Sequence, residues 1–129
     1  MSDLVEPNFK QPKRRTKAKQ TATKQLDILC GTIVRARGRC EDCGKTSDLQ
    51  WAHGFSRRYR NVRWDLRNGF CLCRGCHLKF TVRPLEWDEW LRNRWGQELY
   101  DEIRAVALVG GKVDHKAIKA ELEALRGAA

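Results

Sequence analysis

The 129-residue sequence contains no apolar run long enough to cross a bilayer, and no apolar stretch follows its first residues. The first absence argues against a membrane-spanning protein, and the second predicts that the chain carries no secretion signal. We therefore expect a soluble protein of the cytoplasm, which is a reducing compartment. The sequence has no internal repeat, and its length suits one domain with a modest core plus tails.

Acidic residues are few, since 16 Asp and Glu stand against 26 Lys and Arg, and the formal charge is +10. This excess favours a polyanionic partner, most simply nucleic acid, with an anionic membrane surface as the alternative. Residues 1–30 carry +4, residues 31–95 carry +7 and residues 96–129 carry −1. Any nucleic-acid surface is therefore expected in the first two parts, while the nearly neutral last third suggests a surface for other proteins.

Residues 1–24 contain many basic residues but few apolar ones to bury. They are predicted to form a disordered basic arm. Such an arm either follows DNA phosphates and adds salt-dependent affinity, or only keeps the chain soluble.

Beyond the arm, apolar spacing and turn residues predict several helices and two short strands. The first helix places Cys30 on its apolar face, and the tryptophans of a later helix are expected to pack in the core rather than stack on bases. The sequence thus predicts an α+β fold that is mainly helical, with a central module over 25–96 and a helical extension over 97–129. The predicted elements are helices over 25–37, from about 74 to 83, and over 84–96, 97–110 and 114–127, with strands over 49–53 and 69–73.

Four of the six cysteines form two Cys-x-x-Cys pairs. In a reducing compartment, cysteines paired in this way are typical of metal ligands, and four thiolates suit a tetrahedral structural zinc. Two complete pairs argue against the alternative of buried free thiols. Cys71 is left out of this set, because its side chain is expected to face away from the metal. The predicted zinc ligands are Cys40, Cys43, Cys73 and Cys76.

His77 directly follows a predicted zinc ligand, Cys76. Helical neighbours point about 100° apart, so His77 is free to serve a second metal on another face of the same helix. His53 ends the first predicted strand and Asn68 ends the basic loop after it. If strand, loop, strand and helix fold back on each other, these three side chains come together.

The segment from Cys40 to Thr81, with "AHGFSRR" and "NGFCLCRGCH", resembles the zinc-knuckle branch of the HNH endonucleases. It is particularly similar to small phage-encoded members, including the NinG/Rap-type recombination nucleases. The resemblance covers about a third of the chain. It implies a small ββα-metal module with a four-cysteine zinc knuckle, here flanked by helices and by the basic arm.

The resemblance also implies roles for individual residues. His53 would be the general base that activates water, Asn68 would brace the loop behind it, and His77 would bind the catalytic metal, which is Mg²⁺, Mn²⁺ or another divalent ion. An imidazole accepts a proton at neutral pH, and a divalent ion stabilises a phosphate under attack. The basic loop either grips flanking phosphates or is merely a solvated face. The arginines concerned are Arg57, Arg58, Arg60 and Arg63.

Two positions depart from the family pattern. Ala52 precedes the expected base, and Thr81 follows His77 by one turn, where family members place further metal ligands. His53 itself, a carboxylate from Asp42, Asp48 or Asp65, or else substrate phosphate and water, would have to fill the gap.

The leading hypothesis is a metal-dependent DNA endonuclease acting on phosphodiester bonds, with branched or recombination DNA favoured by the resemblance. A non-catalytic, zinc-stabilised nucleic-acid-binding module is the first alternative. An adaptor that contacts phage recombination or packaging proteins is the second. A homodimer would help to cut two strands, although no segment demands one.

Overall fold

The computed structural model describes residues 17–128, and within them a two-stranded sheet lies among six helices. This confirms the predicted α+β fold that is mainly helical. No helix in the described part combines the length and the apolar character needed to cross a membrane. In chain order the elements are α1 (Lys17–Arg35), β1 (Leu49–His53), α2 (Arg60–Arg63), a 3-10 turn (Leu66–Asn68), β2 (Gly69–Cys73), α3 (Arg74–Val82), α4 (Pro84–Trp95), α5 (Gln97–Val109) and α6 (His115–Ala128).

Strands β1 and β2 are antiparallel, with Trp51 opposite Cys71 and Ala52 opposite Phe70. Because successive side chains in a strand point to opposite faces, these two pairs belong to different layers. Cys71 is buried in an apolar cluster with α1 and lies outside the cysteine cluster, as expected. Regular alternation would place residues two apart on the same face, but Cys73 is the last residue of β2, where the chain turns into α3. Ala52 and Phe70 are buried in a second cluster, with α3 and α4.

Helix α1 begins earlier than predicted. Residues 17–24, assigned from composition to a disordered arm, are helical, while residues 1–16 of that arm lie outside the described residues. Thr23 is only 6% exposed and Leu26 only 1%, so packing covers this end of the helix. Helix α6 lies against α1 and buries Leu122 in the same apolar cluster. Tertiary packing thus extends a helix whose first turns contain few apolar residues.

Aromatic side chains of α4 pack on the sheet face opposite α1. The rings of Trp87 and Trp90 are stacked with centroids 4.9 Å apart, and both meet the ring of Phe70 edge-on. This bears out the expectation that the tryptophans are core residues. Helix α5 follows after the single residue Gly96 and buries Ile103 against Val62 of α2. The C-terminal helices therefore cover the central module and support the loop between the strands.

Candidate functional site

The four cysteines predicted as zinc ligands meet at one end of the sheet. Their sulfur atoms lie within 4.8 Å of one another, and the Sγ atoms of Cys43 and Cys73 are 3.7 Å apart. A tetrahedral metal with Zn–S bonds of about 2.3 Å holds its sulfurs about 3.8 Å apart, so this geometry suits such an ion. No other group of three or more metal-ligating side chains gathers so closely in residues 17–128.

Local backbone geometry explains how the two pairs converge. Gly44 has φ of +83°, a left-handed conformation that favours glycine, and it turns the chain back after Cys43. Cys73 is the last residue of β2 and caps α3, where its sulfur accepts a hydrogen bond from the Cys76 amide. Each Cys-x-x-Cys pair thus folds around its first sulfur, since the Cys43 amide likewise donates to Cys40.

The electrostatics of the cluster favour a bound cation. Burial acts to raise the pKa of the Cys40 thiol, but backbone hydrogen bonds from Cys43, Cys73 and Asp42 outweigh it and lower the pKa to about 6. Burial and the neighbouring side chains raise the pKa of Cys76. Four sulfurs at this separation cannot all ionise unless a positive ion compensates their charges, and a divalent metal supplies that charge.

His53 and His77, which the sequence predicted to converge, line the same open cleft. The cleft has two adjoining parts of about 520 and 720 Å³, which share His53, Arg57, His77 and Thr81. The first part lies towards α4, and the second lies towards α1. The remaining residues of the first part include Ala52, Gly54, Ser56, Pro84 and Trp87, and those of the second are Asp27, Ile28, Arg35, Trp51 and Arg63.

Asn68 lies behind the cleft and is fully buried. Its Oδ1 accepts a hydrogen bond of 2.7 Å from the Phe55 amide, and its Nδ2 donates to the carbonyls of Phe55 and Val62 at 3.0 and 3.1 Å. The Gly54 amide in turn donates to the Asn68 carbonyl. Asn68 therefore connects both ends of the loop that follows His53, which is the bracing position that the resemblance implied.

His53 is held neutral by its surroundings. Its pKa falls from 6.5 to about 4, chiefly because of burial and then because of the positive charges of Arg63 and Arg57. The charge of Asp27 and a hydrogen bond from the ring to the Arg63 backbone carbonyl act in the opposite direction. Its Nε2 is buried and has no hydrogen-bond partner in the described part of the chain. The imidazole is therefore neutral at pH 7, and its unpartnered Nε2 is shielded from solvent in this conformation.

His77 is fixed by a residue that the sequence did not single out. Its Nδ1 lies 2.7 Å from Oε1 of Gln50 on β1. Because an amide oxygen only accepts, Nδ1 carries the hydrogen and Nε2 keeps its lone pair. Burial also lowers the pKa of His77, which favours the neutral form that binds metal ions.

As expected from the sequence, neither Ala52 nor Thr81 offers a metal ligand beside His77. Ala52 is 2% exposed and packs in the core, and the Thr81 hydroxyl donates to the His77 carbonyl at 2.7 Å. None of the three carboxylates considered from the sequence lines the cleft. Asp42 accepts from Lys79 and Trp90 beside the cysteines, Asp48 lies near Lys45, and Asp65 pairs with Arg67.

The carboxylate that does line the cleft is Asp27 of α1. It accepts two hydrogen bonds from Arg63, of 3.1 and 2.7 Å, and one of 2.8 Å from the indole of Trp64. Its oxygens are therefore already engaged with these two residues. No sequence signal pointed to Asp27, because its place in the cleft depends on how α1 packs across the sheet.

The four loop arginines do not act as one set. Arg57 is exposed and lines both parts of the cleft, whereas Arg63 is paired with Asp27. Arg60 stacks over Trp64 and faces a separate cavity under α6. Arg58 is exposed at the loop surface but does not line the cleft.

No family model, curated protein or solved structure matches this chain. Its function is therefore argued from the geometry of the site itself.

Proposed function

We propose that the chain is a metal-dependent DNA endonuclease of the HNH type. The observation that carries this proposal is that His53 and His77 line one cleft while the buried Asn68 braces the loop between them. These side chains come from β1, the loop end and α3, in the order that a ββα-metal module requires. Phosphodiester hydrolysis needs a base, a charge-stabilising group and a fixed geometry, and this arrangement offers a residue for each.

His53 is the proposed general base. Its low pKa keeps the imidazole in the neutral form that a base needs at pH 7, although it also makes His53 a weaker base than an unperturbed histidine. Asn68 acts as a positioning residue, because its three hydrogen bonds hold the loop that starts next to His53. Arg57 extends from that loop at the cleft edge and binds a phosphate beside the one that is cleaved.

The donor set fits a catalytic metal at His77. The hydrogen bond to Gln50 leaves Nε2 free, and an imidazole suits several divalent ions. Ala52 and Thr81 contribute no further ligand, so phosphate oxygens and water would have to complete the coordination of an ion held at His77. When bound, the ion stabilises the negative charge that develops on the phosphate and the leaving oxygen.

The cysteine cluster holds a structural zinc in this proposal. Four sulfurs leave no open position for substrate, which separates this centre from the cleft. The two centres are nevertheless neighbours in the chain, since Cys76 precedes His77. A phage origin, a preference for branched DNA and a place in the host cytoplasm are further parts of the proposal that depend only on the family resemblance.

A second candidate is a zinc-stabilised nucleic-acid-binding module without catalysis. It is favoured by one observation: within the described residues, the cysteine cluster is the only close group of three or more metal-ligating side chains. Within residues 17–128, His77 belongs to no such group. This candidate predicts salt-sensitive DNA binding without strand cleavage.

A nicking assay on supercoiled plasmid separates the two candidates. Zinc-loaded protein is tested with Mg²⁺, with Mn²⁺ and without added metal, beside His53→Ala and His77→Ala. We expect metal-dependent nicking that falls by at least about 100-fold in His53→Ala, because general-base catalysis contributes that much. Full activity in either variant contradicts the assigned roles. Retained plasmid binding without any nicking favours the non-catalytic module.

A further inference from the structure

Helix α1 forms one wall of the cleft, although it lies outside the segment that resembles HNH nucleases. Asp27, Ile28 and Arg35 of α1 line the cleft part that also contains His53 and His77. At Gly31, between them, an added Cβ would lie 3.3 Å from the Trp51 ring and 2.9 Å from the Arg35 guanidinium. The glycine therefore lets α1 run close over β1 and keeps its exposed face next to the site.

The charges on this part of the cleft are not balanced. Asp27 is engaged by Arg63 through two hydrogen bonds, so these opposite charges compensate each other. Arg35 and Arg57 make no ion pair with any residue in the range 17–128. They come from two different elements, α1 and the loop after β1, and both reach the cleft. Two guanidinium groups without ion-pair partners in one cleft are suited to bind a polyanion with regularly spaced phosphates.

The exposed face of α1 extends this positive wall. Lys24, Ile28 and Arg35 are all exposed, and their spacing of four and seven residues places them on one side of the helix. Lys24 also makes no ion pair within the described residues. Ile28 is 57% exposed, which leaves an apolar contact between the two cations. This alternation of charge and apolar surface matches the phosphates and sugars of a nucleic-acid strand.

The length of the face also suits such a strand. Arg35 lies eleven positions after Lys24, and a rise of 1.5 Å per residue makes this about 16.5 Å. One strand of B-form DNA advances about 3.4 Å per nucleotide, so the face spans roughly five nucleotides. A DNA strand that runs from His53 along α1 for about five nucleotides therefore reaches both Arg35 and Lys24.

We propose that α1 is a DNA-contacting helix, on which the backbone of the cleaved strand lies beyond the scissile phosphate. Arg35 binds a phosphate adjacent to the one at His53, Ile28 contacts a sugar, and Lys24 binds a phosphate further along. This inference rests on the proposed function, because it takes the strand at His53 as the substrate. It adds a substrate-binding surface from outside the ββα module.

The test compares Arg35→Ala with Arg104→Ala, a matched exposed arginine on α5 that lies away from the cleft. Binding of the full-length, zinc-loaded chain to a fluorescein-labelled 30-base-pair duplex is measured by anisotropy at several salt concentrations, without added Mg²⁺ or Mn²⁺. We expect Arg35→Ala to bind about tenfold more weakly at 0.1 M salt, because a charge-assisted phosphate contact is lost. Its plot of log affinity against log salt should be shallower by about one. Arg104→Ala should bind as the wild type does.

A second variant, Ile28→Glu, places a carboxylate on the same face and should weaken binding at least as strongly. Circular dichroism establishes that each variant keeps the wild-type fold. If Arg35→Ala and Ile28→Glu both bind with wild-type affinity and salt dependence, α1 is not a DNA surface. The same conclusion follows if the wild type does not bind the duplex.

The outcomes also separate this inference from the proposed nuclease activity. A wild type that nicks plasmid while Arg35→Ala binds and nicks normally overturns the inference and leaves the activity standing. A wild type that never nicks while Arg35→Ala loses affinity overturns the activity and leaves α1 as a nucleic-acid-binding helix.

Discussion

The Asn68 side chain is fully buried, and it pairs with two residues of the loop between the strands. A buried polar group costs free energy when its partners are lost, because backbone groups freed from it cannot all reach water. Its contribution to the molecule is therefore structural, whatever role it has in the proposed function. The position of the cleft wall next to His53 depends on it.

Replacing Asn68 by alanine should destabilise the fold by about 2–4 kcal/mol, because the Phe55 amide and the carbonyls of Phe55 and Val62 lose their partner. Urea unfolding of the zinc-loaded protein measures this change. The control is Asn93→Ala, at an exposed position of α4, where we expect a change of at most about 0.5 kcal/mol. Equal stability of the two variants would show that the loop does not depend on Asn68.

The pKa of His53 makes stability depend on pH. Its value is lowered from 6.5 to about 4 in the folded chain, so the unfolded chain binds more protons between these pH values. The contribution is fully present above pH 6.5 and is lost as the pH falls towards 4. After a discount for partial exposure, we expect a loss of about 2 kcal/mol between pH 6.5 and pH 4.

The unfolding free energy is measured against pH, with zinc present, for the wild type and for His53→Gln. The difference between the two curves is then compared with the expected loss. The variant cannot titrate at this position, so the difference isolates His53 from the cysteines. An NMR titration of the His53 ring with a midpoint close to 6.5 would contradict the prediction.

Among individual residues, some of those that line or support the cleft could be predicted from the sequence and others could not. His53, Asn68 and His77 were identified because their order and spacing match a family pattern. Asp27 and Arg35 precede His53 by 26 and 18 residues, and no motif connects them to it. Only the packing of α1 across the sheet brings them to the cleft. The Gln50 contact to His77 depends in the same way on α3 lying over β1.

Among the elements, those bounded by strong local signals were predicted most closely. Pro84 begins α4, and Gly96 and Gly110, with φ of +82° and +73°, end α4 and α5 as expected. The two strands match their predicted bounds, and each is bordered by a turn. The start of α1 was wrong by eight residues because no cap or breaker marks it and because its burial is supplied by distant residues.

Helix α6 offers a test at the scale of one element. Asp114 precedes it, and its Oδ1 accepts a hydrogen bond of 3.0 Å from the Ala117 amide. Asp114→Ala removes this cap and a negative charge near the helix N-terminus, so it should cost about 1 kcal/mol. Thermal unfolding measures the loss. Glu123→Ala, an exposed change in the middle of α6, is the control, and an equal effect in both variants would argue against the cap.

Over the whole molecule, the cysteine cluster is continuous with the aromatic core. Cys40, Cys73 and Cys76 belong to the same buried cluster as Phe70 and Phe80. Tryptophans of α4 pack against that cluster from the other side. A metal held by these sulfurs would therefore stabilise the interior of the protein and not a peripheral loop.

Removing the metal should unfold the described module, because binding energy at such a site becomes folding energy. We expect a thiol-selective chelator to abolish the near-ultraviolet circular dichroism of the tryptophans, and added zinc to restore it. Cys43→Ser should reduce metal content measured by mass spectrometry, whereas Cys30→Ala, outside the cluster, should keep one ion per chain. A native spectrum after complete removal of the metal would contradict this role.

The position of the four sulfurs along the chain also has a topological consequence. Cys43 and Cys73 are 30 residues apart, and the segment between them contains His53 and Asn68. An ion shared by these thiolates closes that segment into a ring, and an unfolded chain would have to give up about 4 kcal/mol of conformational freedom to bind the ion in this way. His77 lies immediately outside the closure. Folding of the segment that forms the cleft and binding of metal by the cysteines are thus coupled in a single equilibrium.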